Sequence, residues 1–174
     1  MKNVCFTGHR SIPITEKEHL VQELTVLLER GISKGITEYY LGGAIGWDTL
    51  CADVVISLKK RGLNAHLHLI LPCCNDEQTK QWSTDQKQHF YDILNQADTV
   101  EYVTEHYYYG CMKERNARLV AMADICLCYY DTHNYGSGTG QTVRMAERKG
   151  IKIYNFKRNY FVSGATRCRT IILL

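Results

Sequence analysis

Short apolar runs alternate with longer stretches of helical periodicity over almost the whole chain, and that alternation admits few folds. Residues 2–7 form a short apolar run closed by Gly8, the pattern of a buried first strand. A helix is expected next, because Thr15 and Glu18 stand at capping-box spacing, Leu20, Leu24, Leu27 and Leu28 share one face, and Gly31 supplies a stop. The pattern then repeats. Residues 38–41 read as a strand, 42–46 as a glycine turn, and 48–61 as a helix ended by Gly62, with Leu50, Cys51, Val54, Val55 and Leu58 turned inward. Leu67, Leu69 and Leu71 fall on one face of a strand over 65–71, which Pro72 closes before a polar stretch. Ser83 and Gln86 have capping-box spacing at the head of a helix over 83–96, whose stripe is Gln86, Phe90, Ile93 and Leu94. Strands over 99–103, 125–130 and 151–156 alternate with helices over 111–123 and 139–149.

Six strands with five intervening helices imply right-handed crossovers and a mainly parallel sheet covered on both faces. The expected fold is α/β, a Rossmann-like doubly wound sheet, whose ligand lies beyond the carboxyl ends of the strands at the switch point. Residues 1–155 form one such domain, and 156–174 a basic and apolar tail of different character. A chain of 174 residues with 45% hydrophobic positions buries about 70% of its unfolded surface, so its core needs no staples. The eight cysteines are spaced for no metal site, with 73 and 74 adjacent and 126 and 128 one residue apart. They read as structural thiols, and neither a metal nor a cofactor is expected. His66 and His68 share a strand face without a third ligand. No charged-then-apolar leader and no membrane-length apolar run is present, so a cytoplasmic protein with reduced thiols and no membrane partner is expected.

The formal charge of +3 is unevenly spread. Four basic and no acidic residues follow position 155, which leaves residues 1–155 with 17 basic against 18 acidic side chains. A near-neutral body lacks the basic face of a nucleic-acid binder, and on that ground nucleic acid is not expected as a partner.

Three expected strands end in glycine-containing loops. They are Thr7-Gly8-His9-Arg10, Gly42-Gly43-Ala44-Ile45-Gly46-Trp47-Asp48, and Tyr135-Gly136-Ser137-Gly138-Thr139-Gly140-Gln141-Thr142. The second and third each open a helix with free amides, which suits a phosphate, while any one such turn needs glycine for its backbone alone. None has the spacing of a Walker motif or of a dinucleotide fingerprint followed by its acidic residue.

These loops, with Ala52, the series Pro72, Gln78, Trp82, Asp85 and Gln86, the pair Gly110-Cys111-Met112 and Arg115-Asn116, and Thr142-Val143, resemble the YpsA-like branch of the SLOG superfamily. That Rossmann-like group also contains the Lonely-guy phosphoribohydrolases and the DNA-processing protein DprA. The resemblance covers residues 1 to about 155 and implies a nucleotide-type or ADP-ribose-type ligand lying across the three loops. It also implies a homo-oligomer. Met112-Lys113-Glu114-Arg115 matches the helix that carries the catalytic arginine of Lonely-guy enzymes, whereas their catalytic glutamate corresponds here to Thr142. Hydrolysis of an N-glycosidic bond needs a carboxylate. In an enzyme, Asp48 or Glu114 would have to supply it, with Arg115 as the cation.

The expected ligand contacts are Thr7, Gly8, His9, Arg10, Gly42, Gly43, Gly46, Asp48, Arg115, Ser137, Gly138, Thr139, Gly140 and Thr142. Arg10 and Arg115 are the best candidates for phosphate contacts, since a guanidinium fork matches a phosphate, the alternative for each being a solvated surface charge or a structural ion pair. Asp48 is open to three roles: capping its helix, orienting a ribose hydroxyl, or acting as a base. His9 reaches a phosphate or ribose, or faces solvent. Ser137, Thr139 and Thr142 bind phosphate with their hydroxyls or cap a helix. Trp82 and Phe90 are expected in the core, and Tyr107, Tyr108 and Tyr109 are candidates for stacking on a base. The functions in competition are binding of a nucleotide-type small molecule, N-glycosidic hydrolysis of a nucleotide, and single-stranded DNA binding of the DprA kind.

Overall fold

A computed structural model gives the structure of residues 2–157. Except for Phe156 and Lys157, the tail lies outside the described residues. The elements are β1 (Asn3–Gly8), α1 (Ile14–Ile32), β2 (Glu38–Leu41), α2 (Trp47–Lys60), β3 (His66–Leu71), α3 (Asn75–Gln78), α4 (Thr84–Leu94), β4 (Thr99–Tyr102), α5 (Cys111–Met122), β5 (Ile125–Tyr129), α6 (Gly138–Lys149) and β6 (Lys152–Asn155). They build one six-stranded sheet in the order β4-β3-β2-β1-β5-β6. Every pairing is parallel, with Cys5 of β1 opposite Tyr40 of β2 on one side and Cys126 of β5 on the other. The fold is the expected Rossmann-like α/β sheet, and its strand order reverses between β1 and β5.

Alternation along β1 sorts the two cores. Val4 and Phe6 face the larger one, where α1, α2 and α4 bring Leu24, Leu28, Trp47, Val55 and Phe90. Cys5 faces the other, where α5 and α6 bring Leu119, Val120, Val143 and Ala146 against Cys126 and Cys128. These thiols act as small apolar residues. A hydrogen bond with Cys126, and then burial, push the Cys5 thiol well above its usual range, and burial does the same for Cys51 and Cys128.

Local signals hold in places and fail in others for identifiable reasons. The Ser83–Gln86 capping box is present, with Gln86 N donating to Ser83 Oγ at 3.2 Å and Ser83 N to Gln86 Oε1 at 3.0 Å. Gln86 therefore serves the cap and stays off the apolar stripe. Thr15 and Glu18 form no cap, because α1 starts two residues earlier, with Pro13 as its N-cap at φ −55°, a ring geometry already suited to a helix start. Gly31 does not stop α1, which runs to Ile32 and turns at Gly35 with φ +79°. Gly62 and Gly150 end α2 and α6 at positive φ, as expected. The polar stretch after Pro72 contains the short α3, whose Gln78 is buried.

The end of α5 is closed from outside its own sequence. Lys149 Nζ donates to the carbonyls of Val120, Ala121 and Ala123 at 2.9, 2.7 and 2.7 Å, satisfying groups that the last helical turn leaves free. Replacing Lys149 by Met is expected to lower unfolding stability in urea by about 1–2 kcal/mol. An unchanged midpoint would mean that water serves those carbonyls equally well.

Candidate functional site

The loop after β1 is stitched to its neighbours through one residue. His9 N donates to Tyr129 O at 3.1 Å, and His9 O accepts from Trp47 N at 3.2 Å. The ring Nε2 accepts the Asp131 amide at 2.8 Å, which fixes the neutral tautomer with its proton on Nδ1. Burial, opposed by Asp131, lowers the His9 pKa. Gly8 packs where a Cβ would overlap the Trp47 side chain, and at Gly46, φ +86°, a Cβ would overlap the Arg10 backbone. Arg10 is exposed and forms no ion pair among the described residues.

The loop after β2 is held from beneath. Asp48 Oδ2 accepts the amides of Gly42 and Ala44, each at 3.2 Å. Arg115, from the opposite side of the sheet, donates through Nη1 to the Gly42 carbonyl and lies 3.9 Å from Asp48 Oδ2. Both charged side chains are more than nine-tenths buried. Burial raises the Asp48 pKa against the pull of Arg115, and burial lowers that of Arg115 against the pull of Asp48. A Cβ on Gly42 would overlap the guanidinium, so glycine is what admits Arg115. Gln78 Nε2 donates to Gly43 O at 2.8 Å. Asp48 is thus a brace for the loop and not the cap of α2, whose N-cap is Gly46 with no side-chain bond.

The third loop opens α6. Ser137 is the N-cap, its Oγ accepting the Gly140 amide at 3.1 Å, and buried Thr142 donates to Gly138 O at 2.9 Å. The amides of Gly138 and Thr139 have no acceptor among the described residues, as expected for a first helical turn. Gly140 is fixed by fit, since a Cβ there would meet Tyr135 O at 2.7 Å. Gly136 and Gly138 differ from the other loop glycines: neither has a positive φ, and nothing lies within 4 Å of a Cβ built on either.

A cavity of about 350 Å³ opens between these loops, lined by Thr7, Gly8, His9 and Arg10, by Ala44 and Asp48, by Met112, Arg115 and Asn116 of α5, and by Ser137, Gly138 and Thr139. It lies at the strand-order reversal, beyond the ends of β1 and β5. The other named residues stand outside its lining. Gly42, Gly43, Gly46, Gly140 and Thr142 are among them. Glu114 is on another face of α5, bound to the Tyr108 hydroxyl and to Arg118 at 2.8 Å. That leaves Asp48 as the one carboxylate in the lining among the described residues. Burial and a T-shaped contact of 5.4 Å between rings tie Trp82 and Phe90 to the core. Tyr107, Tyr108 and Tyr109 are exposed and do not line the cavity. Met112 and Asn116 are absent from the expected contacts, although the helical spacing of 112, 115, 116 and 119 puts them on the face of Arg115.

A sequence model of the YspA SLOG family matches residues 4–161. The chain belongs to that family. Its relatives include a UPF0398 protein of Halalkalibacterium halodurans, 32% identical over 75% of this chain and 66% of the relative, so the match spans about two thirds of that protein. A UPF0398 protein of Bacillus cereus is 27% identical over 93% of this chain and 90% of its own. Among solved structures the fold is similar to DNA processing protein A of Helicobacter pylori, described by its single-stranded DNA binding mode, with TM-score 0.64 and 16% identity over 91% of this chain and 66% of that one. It is also similar to a structural-genomics target, TM1055, with TM-score 0.54 and 17% identity over 88% and 72% of the two chains. The likeness to a single-stranded DNA binder corrects the exclusion of nucleic acid as a partner. The inference from net charge assumed a broad basic face, and a fold shared with such a protein removes charge alone as grounds for exclusion. No helix among the described residues is long and apolar enough to cross a membrane.

Two outcomes follow from this geometry. Gly42→Ala is expected to destabilise by about 1–3 kcal/mol through overpacking against Arg115, and Gly138→Ala to stay within about 0.5 kcal/mol of the parent; equal effects would refute the distinction between them. For His9 the folded pKa lies below the unfolded one, so its contribution to stability is complete above about pH 6.5 and is lost as pH falls through the lower folded value. His9→Gln, which keeps an acceptor but cannot titrate, is expected to flatten the acid side of the stability profile below pH about 6.5.

Proposed function

We propose that the chain binds a nucleotide-type or ADP-ribose-type small molecule, holding its phosphate in the cavity at the strand-order reversal. The observation that carries this reading is the mouth of α6. A Cβ on Gly136 or Gly138 would meet no described residue within 4 Å, and the Gly138 and Thr139 amides at this helix start have no acceptor among the described residues, where backbone dipoles favour an anion. Arg10 brings an exposed cation to the rim. Arg115 contributes differently. One arm of its fork is committed to Gly42, while its Nε is buried without a hydrogen-bond partner in the cavity wall, a donor that a ligand oxygen would satisfy. Asp48, held at a fixed angle, is placed to accept from a ribose hydroxyl.

Binding without transformation is the better supported form of this reading. Thr142 offers no carboxylate and is bonded back into its helix, and Glu114 stands outside the lining. An N-glycosidic hydrolase would have to run on Asp48 alone, which is tied to two amides and Arg115.

Isothermal titration against AMP, ADP-ribose and cyclic ADP-ribose is expected to give saturable binding to at least one. Arg10→Ala is expected to weaken it about tenfold, or about 1.4 kcal/mol, and Gly138→Val to abolish it without loss of fold. Flat titrations throughout would end the proposal.

The likeness to the Helicobacter pylori protein favours a second reading, single-stranded DNA binding. Tyr135 is exposed at the third loop with Arg144 over its ring at 3.9 Å, a base-stacking surface with its own cation. An oligothymidine shift that falls steeply with salt and is lost in Tyr135→Ala would support it. A shift that is absent or insensitive to salt would dispose of it.

A further inference from the structure

The phosphate cavity has a neighbour. On the other side of the sheet's carboxyl edge, a groove of about 520 Å³ runs between the starts of α1, α2 and α4. Arg10 lines both spaces, its backbone packed against Gly46 and its exposed side chain common to the two linings. The floor of the groove is apolar, from Ile12, Val21, Ile45 and Leu50, and Lys17 stands on its flank as a second exposed cation. Val21 is 39% exposed there. Asp53 is already hydrogen-bonded to His89 at 2.8 Å, which leaves Arg10 and Lys17 as the lining charges without an ion pair among the described residues.

We infer that the groove seats the second half of the ligand, so that the molecule bound is a phosphate-linked dinucleotide type, with one unit in each space and its linking phosphates over Arg10. This rests on the reading of the first cavity as a phosphate site. The first cavity alone is near the lower bound of about 300 Å³ for small-molecule sites, enough for a mononucleotide. The groove adds what a second nucleoside requires: an apolar floor for the flat ring, polar side chains at its end in Gln86 and His89, and cations on the path of the linker. A mononucleotide would leave the floor and Lys17 uncovered. Because Arg10 lines both spaces, one molecule laid across it would touch both.

The experiment compares AMP with ADP-ribose and diadenosine diphosphate on the full chain by isothermal titration, in the parent and in the variants Lys17→Ala and Val21→Glu. Both positions are on the surface of α1, and far-UV circular dichroism with a thermal melt checks that the variants fold. The two-headed ligands are expected to bind at least tenfold more tightly than AMP. Each variant is expected to bring that ratio to about threefold or less. If AMP and the two-headed ligands bind equally, or the variants leave the ratio unchanged, the extension into the groove is wrong and the phosphate site stands. If none of the three binds, the phosphate site fails and the extension falls with it. Binding only of a short oligonucleotide, added as a fourth probe, would overturn the small-molecule form of the proposal.

Discussion

The contact between Arg115, the Gly42 carbonyl and Asp48 governs this protein's carboxyl edge. Arg115 comes from α5 on one face of the sheet, and Asp48 from α2 on the other. The loop after β2 is clamped between them. Two buried charges 3.9 Å apart are individually costly to desolvate, and removing one partner of such a pair typically costs about 3–5 kcal/mol because the other is left unpaired. The Gly42 and Ala44 amides complete the coordination of Asp48, and glycine at 42 is the condition for the guanidinium to enter. The cavity walls inherit their position from this clamp: α5 cannot shift without freeing Gly42, and the loop cannot shift without stranding a carboxylate.

The clamp also separates scaffold from site. The cations at the carboxyl edge do different work, Arg115 building the wall and Arg10 standing free at its rim. The loop glycines divide likewise. Those at 8, 42, 43, 46 and 140 are required by close packing or by backbone angle, while Gly136 and Gly138 have neither a positive φ nor a described neighbour within 4 Å of a Cβ. Glycine abundance in a loop is therefore weak evidence of a ligand, and glycine without an internal cause is stronger. The neutral His9, accepting one amide and joined by its backbone to two other segments, keeps the first loop in register with the third.

The fold was legible because its signals are periodic. Apolar alternation located all six strands, and the cap at Ser83 and the stops at Gly62 and Gly150 were readable from local chemistry. The failures at the head of α1 and at Gly31 come from a competing residue: Pro13 set the start two positions early, and Gly31 was buried in the helix while Gly35 made the turn. The site was legible in part. Which loops converge follows from strand order. Which residues face the opening does not, since the register of α5 decides that Arg115 and Met112 line the cavity and Glu114 does not. The direction of Asp48, toward its own loop, depends on an arginine 67 positions later, a tertiary fact that no local pattern encodes. Charge misled where it was averaged, because two unpaired cations at one edge matter more than the net of residues 1–155.

The central claim is that an anion sits on the first turn of α6. Its most direct measurement is an amide chemical-shift titration of ¹⁵N-labelled protein with AMP. The account predicts saturable shifts concentrated at Gly138 and Thr139, with smaller ones at His9 and Ala44. Saturable shifts elsewhere with those four amides unmoved, or no shifts at millimolar nucleotide, would contradict it.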